Sequence, residues 1–80
     1  MLERLKDAKK TVGTRRLLKA LERGEVQEAF LAVDADLFIV RQVKKACTDA
    51  GVRMTEVPTM KELGAACGMD VKTASAGILK

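Results

Sequence analysis

The most chemically pointed residues in this chain are two adjacent guanidinium groups, Arg15 and Arg16, in the stretch VGTRRLLKALERG that runs from Val12 to Gly24. The stretch reads as an amphipathic helix, with Thr14 as its N-cap and Gly24 at the left-handed position that ends it. Cations are poorly placed at a helix N-terminus, where the backbone already presents its positive pole. A locally unfavourable choice of this kind marks a place to look for function. At about 100° per residue, Leu17, Leu18, Ala20 and Leu21 share one side of the helix. Arg15, Arg16, Lys19, Glu22 and Arg23 occupy the opposite arc. The backbone N–H groups from Gly13 to Arg16 suit phosphate, and the arginine forks suit phosphate or guanine edges. The bland alternative is a solvated pair of charges on an ordinary helix.

Other chemistry is poorly supplied. The chain has no histidine, tyrosine or tryptophan, so a nucleophile with its base is hard to assemble. Cys47 and Cys67 are the two cysteines and form no CxxC pair, which gives neither a closed zinc site nor a disulfide framework. Both fall on apolar helix faces and read as reduced core thiols. Asp34 and Asp36, in VDAD, could in principle hold a divalent cation or form an acid-base pair. Between a strand and a helix they read as capping and turn residues instead. The glycines match no nucleotide-phosphate loop. The sequence therefore predicts a protein that is not an enzyme, with no cofactor and no metal.

Fifteen Lys and Arg against eleven Asp and Glu give a net charge of +4, which favours polyanionic partners. The two Phe residues, Phe30 in a buried-looking strand and Phe38 at a helix start, are too few and badly placed for a sheet that stacks bases. A helix N-terminus remains as the mode of recognition. No apolar run approaches the roughly 20 residues that span a bilayer, and the N-terminus MLERLKDAKK mixes charge with apolar residues. The expectation is a cytoplasmic protein with no membrane contact.

The elements that position these residues follow from periodicity. A short helix is expected over 2–9, carrying Leu2 and Leu5, then a brief edge strand over 10–13. Residues 26–33, after the arginine helix, end in a nearly continuous apolar run, as in a strand covered on both faces. A long helix from about 36 to 50 stops at Gly51, with Asp34 and Asp36 as its cap candidates. Its arc of Ile39, Val40, Val43, Ala46, Cys47 and Ala50 is apolar. Residues 52–57 alternate as a strand that Pro58 ends. Thr59 and Glu62 form a capping box for a short helix to Cys67, with Met60, Leu63 and Cys67 on one side and Gly68 as the stop. A loop over 69–73 precedes a final strand in ASAGIL. This alternation predicts one domain over 1–80, a three-layer α/β/α sandwich with a small mixed sheet.

GTRRLLKALERGEVQEAFLAVDAD, followed later by MKELGAACGMDV, closely resembles the kink-turn RNA-binding family of archaeal ribosomal protein seven-Ae, and within it the small bacterial YbxF-like members. The resemblance covers essentially the whole chain and implies an α/β/α sandwich. It also implies a site. The family's helix opens with Gly and a small residue, matched by Gly13 and Thr14. Archaeal members then place an Asn-Glu pair that reads the tandem G·A pairs of the kinked RNA, and here that pair is Arg15-Arg16. The family's lysine one turn on is matched by Lys19. An apolar-acidic-apolar triplet in the loop before the last strand packs on the unstacked bases of the kink; Met69-Asp70-Val71 matches it, with Lys72 added. Arginine only donates hydrogen bonds, so Arg16 is expected to favour guanine O6 and N7 or phosphates.

The expected function is thus recognition and stabilisation of a kink-turn in rRNA or an mRNA leader, by a monomer that also fits a ribosomal or ribosome-associated role. Two alternatives stay open: a general rRNA binder held through phosphates, and an adaptor that keeps the fold but contacts protein.

Overall fold

Side chains of a strand alternate between its faces, and a strand apolar on both sides is stable only between two layers. The computed structural model, which describes residues 3–80, shows that arrangement around the central strand. Ala29 and Leu31 pack on one side with Leu17, Leu21, Val40, Val43 and Cys47. Phe30 and Ala32 pack on the other with Leu5, Val57, Leu63, Cys67 and Ile78. The protein is the expected three-layer α/β/α sandwich.

In chain order the elements are α1 (Glu3–Asp7), β1 (Lys10–Val12), α2 (Thr14–Glu22), β2 (Val26–Ala32), α3 (Leu37–Ala50), β3 (Arg53–Val57), α4 (Met60–Ala66) and β4 (Ser75–Leu79). The four strands form one mixed sheet in the order β1-β4-β2-β3. β2 and β3 run parallel, whereas β4 is antiparallel to both β1 and β2. Helices α2 and α3 cover one face, α1 and α4 the other. Leu2, expected in the first helix, lies outside the described residues.

This topology gathers the turns that matter. β1, β2 and β3 all finish where β4 starts, and the backbone is stitched together there. Gly13 N donates to Ser75 O at 2.9 Å, Ala32 N to Ala74 O at 2.9 Å, and Val33 N to Val57 O at 2.9 Å. The three strand-to-helix turns and the loop leading into β4 therefore share one end of the sheet.

Two capping expectations are corrected. Thr14 does not cap α2: Gly13 is the N-cap, at φ 104° and ψ 147°, and no side chain caps the helix. The Thr14 hydroxyl is instead 2.8 Å from the Ser75 hydroxyl, a hydrogen bond across the sheet end. Asp36 does cap α3, its carboxylate accepting from Phe38 N at 2.8 Å. Asp34, however, serves α4, accepting from Met60 N at 2.8 Å. Of the expected capping box the threonine half forms, with Thr59 Oγ1 accepting from Glu62 N at 3.1 Å. Of the apolar arc expected on the long helix, Ala50 is exposed at its end. The expected strand over 26–33 stops at Ala32, leaving Val33 at 45% exposure.

Both thiols are free and buried. Burial pushes Cys47 above its ordinary range, and does the same to Cys67, where the Lys10 ammonium partly offsets it.

Candidate nucleic-acid interface

The orientation of α2 follows from what lies beneath it. Leu17 is fully buried, and a Cβ on Gly77 of β4 would stand 2.7 Å from Leu17 Cδ1. Glycine at that position lets the helix settle directly onto the sheet. With Leu17, Ala20 and Leu21 buried, the opposite arc is turned to solvent, and Arg15, Arg16, Lys19 and Arg23 are all exposed. The first turn holds no acidic residue. The N–H groups of Thr14, Arg15 and Arg16 have no acceptor within the helix and lie beside two cations, whereas Gly13 N, expected to be free for phosphate, donates to Ser75 O.

An open groove runs along this helix toward the sheet edge, lined by Thr11, Arg16, Lys19, Ala20, Arg23 and Leu79 among others. Arg23 was not among the expected site residues, although it lies four residues beyond Lys19 on the same arc. That spacing was the signal available in the sequence.

The second expected segment is held by α4. Met69 N donates to Gly64 O at 2.9 Å, and Thr73 N donates to Met60 O at 3.0 Å, so both ends of the loop are tied to one helix. Gly64 makes this possible, because a Cβ there would collide with the Val71 carbonyl oxygen. Between the ties, Met69, Asp70, Val71 and Lys72 project outward. Met69 is 43% and Val71 58% exposed, which leaves two apolar side chains facing water at the site.

α2 belongs to one layer and the loop follows α4 in the other, yet both reach the same end of the sheet. Half-buried Gly13 and Thr14 form the joint, through the Gly13–Ser75 and Thr14–Ser75 hydrogen bonds. Of the expected residues, Arg15, Arg16, Lys19 and 69–72 are presented at the surface, while Gly13 and Thr14 hold the helix in place. Nothing in the helical spacing pointed to the exposure of Leu37 and Phe38, 61% and 71% at the start of α3.

Asp34 and Asp36 are both occupied as backbone caps. Among the described residues, no group of three or more His, Cys, Asp or Glu is placed to hold a metal ion. No helix among them is long and apolar enough to cross a membrane.

Fold and surface together describe a small α/β/α domain that presents a cationic helix end and an exposed apolar loop at the same end of its sheet. The sequence profile of the Ribosomal protein L7Ae/L30e/S12e/Gadd45 family matches residues 2–80, and the chain belongs to that family. It is 41% identical over 76 residues to the RNA-binding protein YbxF of Geobacillus stearothermophilus, covering 95% of this chain and 93% of that one. It is 40% identical over 68 residues to the RNA-binding protein TTE2299 of Caldanaerobacter subterraneus subsp. tengcongensis, covering 85% and 83%. Among solved structures, the Giardia lamblia 15.5kD RNA binding protein superposes with a TM-score of 0.89 at 33% identity, covering 99% of this chain and 70% of that one.

Proposed function

We propose that this protein binds RNA and stabilises a kink-turn, in rRNA or in an mRNA leader. The observation that carries the reading is the meeting, at one end of the sheet, of an exposed cationic helix face with an exposed apolar loop. A kinked RNA offers a partner for each. Its phosphates and base edges suit Arg15, Arg16, Lys19 and the N–H groups of the first turn. Its unstacked bases suit Met69 and Val71, which can cover them from water, with Asp70 and Lys72 at the rim. The RNA-binding names carried by relatives at about 40% identity support the same reading.

The Arg15-Arg16 pair sets the chemistry of readout. Guanidinium groups only donate, so Arg16 engages guanine O6 and N7 or phosphate oxygens rather than guanine amino groups. No bond of the RNA is made or broken. The protein binds the kinked conformer more tightly than the extended one and shifts the population toward it.

The test is a titration of a kink-turn RNA beside the same RNA with its G·A pairs replaced by Watson–Crick pairs. The intact kink-turn is expected to bind more tightly, and Arg16→Ala to weaken it by about 1–3 kcal/mol if a base edge is read. Equal affinity for the two RNAs would reduce the function to general RNA binding. Affinity should also fall steeply with salt, since each phosphate neutralised releases a counterion. A complex indifferent to salt would point to a protein partner.

A further inference from the structure

Helices α2 and α3 lie side by side and run the same way. Arg15 and Leu18 face Ile39 and Gln42 near their N-termini, whereas Leu21 and Glu22 face Ala46, Asp49 and Ala50 further along. Between the N-terminal halves is an open groove of about 510 Å³, a size in the range of small-ligand sites. Its floor is apolar, from Leu18 and Ile39. One wall carries Arg15 and Lys19, and the other carries the amide of Gln42.

Phe38 does not line this groove but neighbours one of its lining residues along α3. It precedes Gln42 by four residues and so shares its face of α3, while Arg41, also exposed, lies three residues on. Ile39 packs against the core beneath, but Phe38 takes no part in that core and is 71% exposed. An aromatic ring ordinarily contributes by being covered. Here it is presented to solvent, with exposed Arg41 one turn on along the same helix.

We propose that this groove takes an unpaired strand of RNA that runs on from the segment bound at the sheet end, with one base stacked on Phe38. The proposal rests on the RNA-binding reading above and adds a second contact to it. Arg15 and Arg41 neutralise the phosphates on either side of the stacked nucleotide. The Gln42 amide, both donor and acceptor, meets a base edge, and Leu18 and Ile39 lie under it. Charge favours this occupant: the groove shares Arg15 and Lys19 with the cationic arc, so a strand leaving that arc enters it without crossing neutral surface. Glu22 sets its far limit. The seven residue-to-residue steps of helix from Arg15 to Glu22 span about 10 Å, which gives room for one or two nucleotides.

The experiment compares a blunt-ended kink-turn RNA with the same RNA extended by a few unpaired nucleotides at each terminus in turn, for the wild type, Phe38→Ala and Phe38→Tyr. One extended RNA is expected to bind the wild type about tenfold more tightly than the blunt one, as stacking of one base allows. Phe38→Ala should erase that gain while leaving the blunt RNA unaffected, and Phe38→Tyr should restore it. Because Phe38 lies outside the core, its loss does not threaten folding. Equal wild-type affinity for blunt and extended RNA would overturn the groove contact and leave the kink-turn reading standing. An equal loss on both RNAs in Phe38→Ala would also overturn it. Weak binding of the blunt RNA, with a gain from the extension that depends on Phe38, would support the groove and overturn the kink-turn reading.

Discussion

Gly64→Ala separates local from tertiary control of the apolar loop, because the two predict opposite signs. In an exposed helix interior, replacing Gly by Ala stabilises by about 1 kcal/mol. Gly64 is buried, and the added methyl would meet the Val71 carbonyl oxygen, with Thr73 Oγ1 a further 3.4 Å neighbour. A backbone carbonyl cannot swing aside like the end of a flexible side chain. The loop must lift, straining the Met69 N to Gly64 O bond of 2.9 Å and the Thr73 N to Met60 O bond of 3.0 Å. Loss of two such bonds is worth about 2 kcal/mol, and overpacking in general costs about 1–3 kcal/mol. These are two measures of the same strain; about 2 kcal/mol less the helix-propensity gain of about 1 leaves a net destabilisation of about 1 kcal/mol. In a domain of this size that lowers Tm by roughly 4–8 °C, measurable by circular dichroism. RNA affinity should fall as well, although Gly64 presents no side chain to a ligand. A variant that melts at or above the wild-type temperature would show that the loop yields freely and that Gly64 does not set its position.

Ser75→Ala removes the partner of the Thr14 hydroxyl in a half-buried setting, and a loss of about 1 kcal/mol is expected in urea denaturation. Arg15→Glu should move stability and binding in opposite directions. An anion in the first turn of α2, four residues before Lys19, should stabilise by about 0.5–1 kcal/mol, while affinity for RNA falls. A variant that is more stable and binds equally well would return Arg15 to the role of a solvated charge. Burial raises both thiols and shields them from reagent, so alkylation of Cys47 and Cys67 should be slow in the folded protein and faster in denaturant. Because the folded pKa is raised, the stability this confers is full below the ordinary value of 9.0 and declines as pH rises past it. Denaturation midpoints at pH 8 and pH 10 check the sign.

Local patterns made the layers legible. The apolar end of Val26–Ala32 required cover on both faces, and the helical arcs of α2 and α3 supplied it on one of them. Gly24, Gly51 and Gly68 marked three helix ends and adopt φ of 70°, 68° and 79°. What escaped the sequence were partnerships across long separations. Thr14 has every local credential of an N-cap, but Ser75, 61 residues away, engages its hydroxyl and leaves the cap to Gly13. Asp34 looked like a cap for the helix that follows it, yet the start of α4 stands closer in space. Gly64 could be read only as a weak point in a helix, because the loop that needs its missing side chain comes later in the chain. For the site, the cationic arc was plain from spacing. The exposure of Phe38 was not, because a ring at a helix start is as readily tucked inward as turned out.

The start of α2 combines three features that an isolated helix would avoid: glycine as the cap with no side-chain bond, no acid in the first turn, and two arginines in that turn. Each leaves positive charge or unpaired N–H groups at the same place, and each forgoes a few tenths to about 1 kcal/mol. The fold compensates from elsewhere, through Leu17 seated over Gly77 and the Gly13 and Thr14 bonds to Ser75. These contacts secure the helix from below without using its outward groups. A conventional cap at Gly13 would occupy some of those N–H groups, and acids in place of the arginines would repel a phosphate. Under the proposed function, the anion that completes the helix end comes from the RNA. The local disadvantage in the free protein then becomes part of the preference for the bound state.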